Sequence, residues 1–181
     1  LRHLAVLPGV TVRSADVYAP AVLAGHFAGA DAVVQLVGIL NEKGHDGAGF
    51  RRAHVELPRT VIGAMQQAGV KRLLHMSSLK AGQGSSHYLV TRGEGEALVK
   101  ASGLEWTIFQ PSVIFGTGDG LFNRFASLLK LAPFMPLGRA DAKLAPVFIG
   151  GVCAAFARAL VDRGAVGRAC GVLGSRVMGL R

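Results

Sequence analysis

Tyr88 and Arg92 stand four residues apart in the stretch SHYLVTRGEGE, residues 86–96, where a helix is expected to begin. Four residues is about one helical turn, so the two side chains share a face. A tyrosine, with an ordinary pKa of about 10, is a poor acid or base at neutral pH. A cation one turn away favours the phenolate, and a serine hydroxyl nearby can hold a carbonyl oxygen. The chemistry open to such a set is proton transfer coupled to hydride transfer at a carbonyl. The plainer alternative packs Tyr88 at the helix start and pairs Arg92 with Glu96 at i+4 on a solvated face. Spacing alone favours this second reading.

The elements that must position these residues alternate between strand and helix. Residues 10–15 (VTVRSA) alternate apolar and polar, which predicts a strand ending at Asp16. Residues 20–27 predict a short helix with Pro20 in its first turn. The apolar run 32–37 (AVVQLV) predicts a buried parallel strand, followed by a polar, glycine-rich loop over 41–49. Residues 50–68 carry a helical pattern that Pro58 should start or bend and Gly69 ends. Residues 72–76 (RLLHM) and 106–110 (WTIFQ) predict strands flanking a helix over 88–101. A loop and helix over 119–131, a strand over 143–149, a helix over 151–161 and a weak strand over 170–173 complete the series. Apolar strands alternating with helices predict a doubly wound α/β domain with a parallel sheet, one unit over 1–181.

Ligands of such sheets bind beyond the carboxyl ends of the strands. Asp16, Val37-Gly38, Ser77-Ser78 and Pro111-Ser112 all fall there. Each has a local explanation as a cap, turn or loop residue; their convergence on one edge is the stronger argument. His54 and His75 read as satisfied core or edge residues, and Trp106 and Phe109 as core. The apolar stretch 122–137 (FNRFASLLKLAPFMPL) suits a membrane surface, a partner or a lid over a cleft.

Length and composition narrow the class. A chain of 181 residues, half of them apolar, suits one domain with a sizeable core. The net charge of +9 comes from 20 scattered basic residues whose longest runs are pairs, Arg51-Arg52 and Lys71-Arg72. No acid follows Asp162, whereas Arg163, Arg168, Arg176 and Arg181 do. Such a balance raises nucleic acid or an anionic membrane as partners, but scattered charge without interleaved aromatics argues against nucleic acid. Cys153 and Cys170 form neither a disulfide framework nor a zinc cluster, which points to a reducing, cytoplasmic compartment. Residues 144–161 (LAPVFIGGVCAAFARALV) are nearly all apolar, but Pro146, Gly150-Gly151 and Arg158 interrupt them, so a strand, turn and helix are expected rather than a span of roughly 20 clean residues. The first residue is leucine, which suggests a fragment or a processed chain.

Three stretches together carry a family resemblance: AGVKRLLHMSS (68–78), the Tyr88 helix with GEGEALV, and SGLEWTIFQPSVIFGTGDG (102–120). They resemble the atypical short-chain dehydrogenase/reductases. With VVQLVGILNE (33–42) and AHVELPRTV (53–61), they resemble most the branch similar to the nucleotide-binding accessory subunit of respiratory complex I. The resemblance implies a Rossmann-like fold binding NAD or NADP. It implies Asp16 and Val17 at the adenine, Val37 and Gly38 along the cofactor cleft, and Ser77, Tyr88 and Arg92 at the catalytic serine, tyrosine and lysine positions. Pro111, Ser112 and Ile114 would form a ledge beside the nicotinamide. The chain departs from the family pattern in lacking a glycine-rich first turn, which would hold the pyrophosphate. It departs also at Arg92, where lysine is usual, at Gln110 in place of arginine, at Gly151 and Ala19 in place of aspartate, and at Gln35 in place of asparagine. The first β-α unit is therefore expected to be missing. The implied role is a dinucleotide-binding protein, structural or sensory in a respiratory or quinone-linked assembly, peripheral at the inner membrane, with weak or no turnover. The alternatives are an active reductase or epimerase on a small carbonyl or sugar nucleotide, and a basic module for nucleic acid or acidic membrane. The resemblance also raises a homodimer, because related folds often dimerise through helices corresponding to 50–68 and 88–101.

Overall fold

The computed structural model of the protein describes residues 4, 6–118 and 143–179. The expected loop and helix over 119–131 and the apolar stretch 122–137 lie outside these residues.

The chain forms helix α1 (Pro20–Phe27), strand β1 (Ala32–Gln35), a helical segment made of α2 (Ala48–Arg51), a π-turn (Arg52–Glu56) and α3 (Leu57–Ala68), strand β2 (Arg72–Met76) and helix α4 (His87–Lys100). Strands β3 (Glu105–Pro111), β4 (Ile114–Phe115), β5 (Lys143–Leu144) and β6 (Val147–Phe148) precede helix α5 (Ile149–Val161), and strands β7 (Arg168–Val172) and β8 (Met178–Gly179) end it. The main sheet has the order β1-β2-β3-β7, and its three pairings are all parallel.

Neighbouring strand residues point to opposite faces, and this divides the core in two. Val33, Leu73 and Ile108 face α1, α3 and α4, packing with Leu23, Leu57, Val61, Met65 and Val99. Leu74 and Phe109 face α5, packing with Val152, Phe156 and Ala159. The Phe109 and Phe156 rings stack with centroids 4.0 Å apart. Each leucine or methionine buried this fully contributes roughly 1.5–3 kcal/mol. Helices on both faces of a parallel sheet make the doubly wound, Rossmann-like α/β fold expected from the sequence.

Several local expectations are corrected. Residues 10–15 form no strand, and Val10 and Val12 are exposed; period-two alternation needs a neighbouring edge to become a ladder. Strand β1 stops at Gln35, leaving Leu36 and Val37 exposed. The helix expected over 50–68 starts at Ala48 and widens into a π-turn, where the Leu57 amide donates to the Arg52 carbonyl. Pro58, which has no N–H to offer, follows at once. Gly69 closes α3 in the left-handed conformation, φ 75°. The strand expected over 143–149 divides around Pro146: β5 pairs antiparallel with β8, and β6 pairs parallel with β4. Helix α5 begins at Ile149, so Gly150 and Gly151 lie in its first turn. Among the described residues no helix is long and apolar enough to cross a membrane.

Candidate functional site

Helix α4 starts at Ser86, whose hydroxyl accepts from the Leu89 amide. That start sets Tyr88 in the first turn and Arg92 one turn on, facing the sheet. Arg92 is buried, its guanidinium carbon 5.4 Å from the centre of the Tyr88 ring. Its Nη1 donates to the Met76 carbonyl at the end of β2, 3.0 Å away. Its outer end lies against Gly38, just past β1: a Cβ there would stand 2.9 Å from Cζ and overlap Nη2. The absent side chain of Gly38 is therefore what makes room for the guanidinium. The surface pair of Arg92 with Glu96 weighed from spacing does not form, because this face of α4 is turned inward.

Glu96 is buried and works elsewhere. Its Oε1 accepts from the Ser77 hydroxyl at 2.6 Å and from Gln110 Nε2 at 2.7 Å, and its Oε2 from Lys100 at 3.0 Å. The proton of the Ser77 hydroxyl is thus committed to a carboxylate on α4. The neighbouring Ser78 has a buried hydroxyl with no partner among the described residues. Gln110, where the family often has arginine, ties the end of β3 to the same carboxylate.

The other expected residues divide into two groups. Pro111, Ser112 and Ile114 follow the sheet edge: the Pro111 carbonyl accepts from the Leu79 amide at 2.9 Å and the Ser112 amide donates to Val172, beside Ser77 and Ser78. Ile114 is half-buried in β4 and pairs with Val147. Val37 and Gly38 occupy the matching edge after β1. Asp16 and Val17 are exposed ahead of α1, where the Asp16 carboxylate accepts from the Tyr18 amide at 2.9 Å. No hydrogen bond among the described residues joins these two to the Arg92 group. Gln35, where the branch often has asparagine, donates to the Val37 carbonyl, and its own Oε1 is buried without a partner among the described residues.

Sequence reasoning missed the buried role of Glu96 and the surroundings of His54. The His54 ring stacks on Phe50 with centroids 5.6 Å apart and meets the edge of Tyr88 at 5.4 Å. Its Nε2 accepts from the Ile39 amide and its Nδ1 lies 3.0 Å from the Thr91 hydroxyl. That hydroxyl donates onward to the His87 carbonyl, which assigns the ring proton to Nδ1. His54 thereby holds the Ile39 end of the loop carrying Gly38 against the Tyr88 helix. The signal available in the sequence was its place four residues before Pro58.

Burial, then the Arg92 charge, pushes His54 down to about 4; the same two causes push His75 down to about 4. Both folded values lie below the ordinary 6.5, so both rings are neutral in the fold. Their contribution to stability is whole above pH 6.5 and is lost as pH falls toward 4. Each ring accounts for on the order of 3 kcal/mol at the acid limit. We expect the melting temperature to fall steeply between pH 6.5 and 4, and His75→Leu to flatten that fall. An equally steep profile in His75→Leu would contradict the assignment.

Residues 1–122 match the model of the NAD(P)H-binding family. The mitochondrial NADH dehydrogenase [ubiquinone] 1 alpha subcomplex subunit 9 of Mus musculus is 34% identical over 122 residues, 66% of this chain and 32% of that protein. Its Arabidopsis thaliana counterpart is 33% identical over 103 residues, 56% of this chain and 26% of that one. The matched regions therefore span about a third or less of the length of these curated relatives. Among solved structures, UDP-glucuronic acid 4-epimerase from Bacillus cereus, with UDP-glucuronic acid and NAD, superposes with a TM-score of 0.84 at 17% identity, covering 99% of this chain and 65% of that one. A double mutant of dTDP-glucose 4,6-dehydratase from Streptomyces venezuelae, with NAD bound, gives 0.81 at 20% identity, covering 99% and 63%. The resemblance to the branch of the complex I accessory subunit and the Rossmann-like fold read from the sequence both hold.

Proposed function

This chain belongs to the NAD(P)H-binding family, and we propose that it is a dinucleotide-binding protein of the atypical short-chain dehydrogenase type, structural or sensory in a respiratory or quinone-linked assembly, with weak or no turnover. Dinucleotide binding rests on the family match, and the observation that carries weak or absent turnover is the Ser77–Glu96 hydrogen bond. A serine that gives its proton to a buried carboxylate is not available to hold a substrate oxygen, so the set Ser77, Tyr88 and Arg92 is incomplete as hydride-transfer machinery.

The carboxyl edge suits the nicotinamide half of NAD or NADP. Gly38 makes room for the Arg92 guanidinium at the floor, Arg92 places a cation beneath Tyr88, and Pro111, Ser112 and Ile114 border the far side. The bound cofactor would supply the hydride chemistry; this chain's residues bind, orient and exclude water. A pyrophosphate finds less. The amides at the start of α2 are already taken up by the Glu42 carboxylate, which accepts from Gly47 and Gly49 at 3.0 Å each. Asp16 and Val17 would border the adenine from the exposed turn before α1. We place the protein in the cytoplasm or peripherally at the inner membrane, as one domain over 1–181, with a homodimer through the α3 and α4 side as a further state.

The second reading, an active reductase or epimerase, is favoured by one observation: the unpartnered Ser78 hydroxyl beside Ser77 could hold a substrate oxygen in its place. The two are separated by loading the purified protein with NAD⁺ and NADP⁺, removing the excess and quantifying what remains after acid release. Near-stoichiometric dinucleotide with no hydride transfer to carbonyl or sugar-nucleotide substrates is the expected result, and Tyr88→Phe should retain the dinucleotide. Rapid transfer that Tyr88→Phe abolishes would establish the second reading; no retained dinucleotide would count against both.

A further inference from the structure

Three arginines near the sheet show how this fold ordinarily satisfies a guanidinium. Arg51 is exposed and forms a two-pronged pair with Glu94. Arg52 lies over the Tyr18 ring, 4.5 Å from its centre. Arg72, 9% exposed, gives its protons to the Glu105 carbonyl, the Thr107 hydroxyl and the Ala159 carbonyl at 2.7, 2.8 and 2.6 Å. Arg92 is more buried, at 7% exposure, and among the described residues its hydrogen-bond acceptor is the Met76 carbonyl. Its Nε is buried with no partner among them. Of the two carboxylates that follow it on its own helix, Glu94 is paired with Arg51 and Glu96 is taken up by Ser77, Gln110 and Lys100. The imidazoles of His54 and His75 bring no negative charge. Among the described residues Arg92 is a buried cation whose neighbours, the Met76 carbonyl and the Tyr88 ring 5.4 Å away, supply no counter-ion, which is costly unless something else does.

Its place says where the counter-ion comes from. The guanidinium bridges Met76, which ends β2, and Gly38, which follows β1, so it sits between the carboxyl ends of adjacent parallel strands. Ligands of such sheets bind there. A lysine would offer a point charge; the planar fork of arginine suits two oxygens of one anion. We propose that Arg92 is an oxyanion receptor, held by Gly38 at the floor of the cleft, that binds a carboxylate or phosphate group of the ligand. The inference rests on the reading of this edge as the ligand cleft. The oxyanion has two sources, a phosphate of the dinucleotide itself or the acid group of a second, small ligand.

The test measures melting temperature and binding heats with inorganic phosphate, oxalate and NADH at constant ionic strength set with chloride. The wild type should show a saturable rise in melting temperature with at least one of the three. Arg92→Met should lose that rise and, ligand-free, melt no lower than the wild type, because an uncompensated charge has been removed. Arg92→Lys should bind the same anion about tenfold or more weakly, the size of one lost charge-assisted hydrogen bond. Gly38→Ala, which keeps the charge but displaces the guanidinium, should weaken binding similarly. An Arg92-dependent loss confined to NADH assigns the oxyanion to the dinucleotide; a loss confined to oxalate or phosphate assigns it to a second ligand. No saturable rise with any probe, or a rise that Arg92→Met retains, overturns the proposal. NADH binding with no role for Arg92 would sink this inference and leave the dinucleotide reading standing. Oxalate binding at Arg92 without NADH binding would do the reverse.

Discussion

Gly95→Ala is expected to lower the stability of the protein by about 3 kcal/mol or more, the upper range for forcing extra volume into a packed interior. Gly95 lies in the middle of α4, where alanine would ordinarily help a helix. Here its Cα rests on the carbonyl of His54, and a Cβ would overlap that oxygen and stand 3.4 Å from the carbonyl carbon. The obstacle is backbone, so no rotamer relieves it. His54 belongs to the π-turn, and its carbonyl lies four residues before Pro58, which cannot donate to it. The close approach of the two helices thus depends on a glycine on one side and a proline on the other. Urea unfolding followed by circular dichroism measures the effect. A variant within about 0.5 kcal/mol of the wild type, the ordinary range of an innocuous surface change, would show that the two helices do not need this contact.

Glu96→Ala should cost about 3 kcal/mol, by leaving the buried Ser77 hydroxyl and the half-buried Gln110 amide without their acceptor, an orphaned buried group costing about 1–3 kcal/mol. Lys100 adds little, being half exposed and able to turn to water. Glu96→Gln should cost roughly 1 kcal/mol, since its amide oxygen can still accept from Ser77 and Gln110. The ordering, alanine far worse than glutamine, is expected of a hydrogen-bond hub; equal losses would mean that only the charge, which both variants remove, matters. The same pair of variants bears on function, because Glu96→Ala releases the Ser77 hydroxyl. If the Glu96 bond is what withholds that hydroxyl from a substrate, residual hydride transfer should rise in Glu96→Ala as stability falls, measured at a temperature where the variant is still folded.

The parts of the fold legible in the sequence were those whose signal is local. The run RLLHM became β2 as read because a strand covered on both faces is apolar on both faces. Residues 20–27 became α1 with Pro20 at its start. The Tyr88 helix was legible within one residue. What failed depended on neighbours. Residues 10–15 alternate like a strand and have no ladder, and the run 143–149 is cut by Pro146 into pieces that pair with different partners. At the site, the spacing of Tyr88 and Arg92 placed them together, but i+4 arithmetic could not say which face of α4 meets the sheet. Glu96, read as a solvated partner of Arg92, is instead the buried acceptor for Ser77 and Gln110. The notch at Gly38 required knowing that the Arg92 side chain, on a helix far along the chain, returns to the end of β1, which only the tertiary structure shows.

The most direct test of the dinucleotide site is an equilibrium titration of the purified protein with NADH and with NADPH, followed by nicotinamide fluorescence, alongside Gly38→Val. A side chain at residue 38 displaces Arg92 and narrows the floor between the ends of β1 and β2 without touching the core clusters. We expect saturable binding of at least one dinucleotide by the wild type and a loss of about tenfold or more in Gly38→Val, equivalent to about 1.4 kcal/mol. No saturation by either dinucleotide, or binding that Gly38→Val leaves unchanged, would contradict the assignment of this edge as the dinucleotide site.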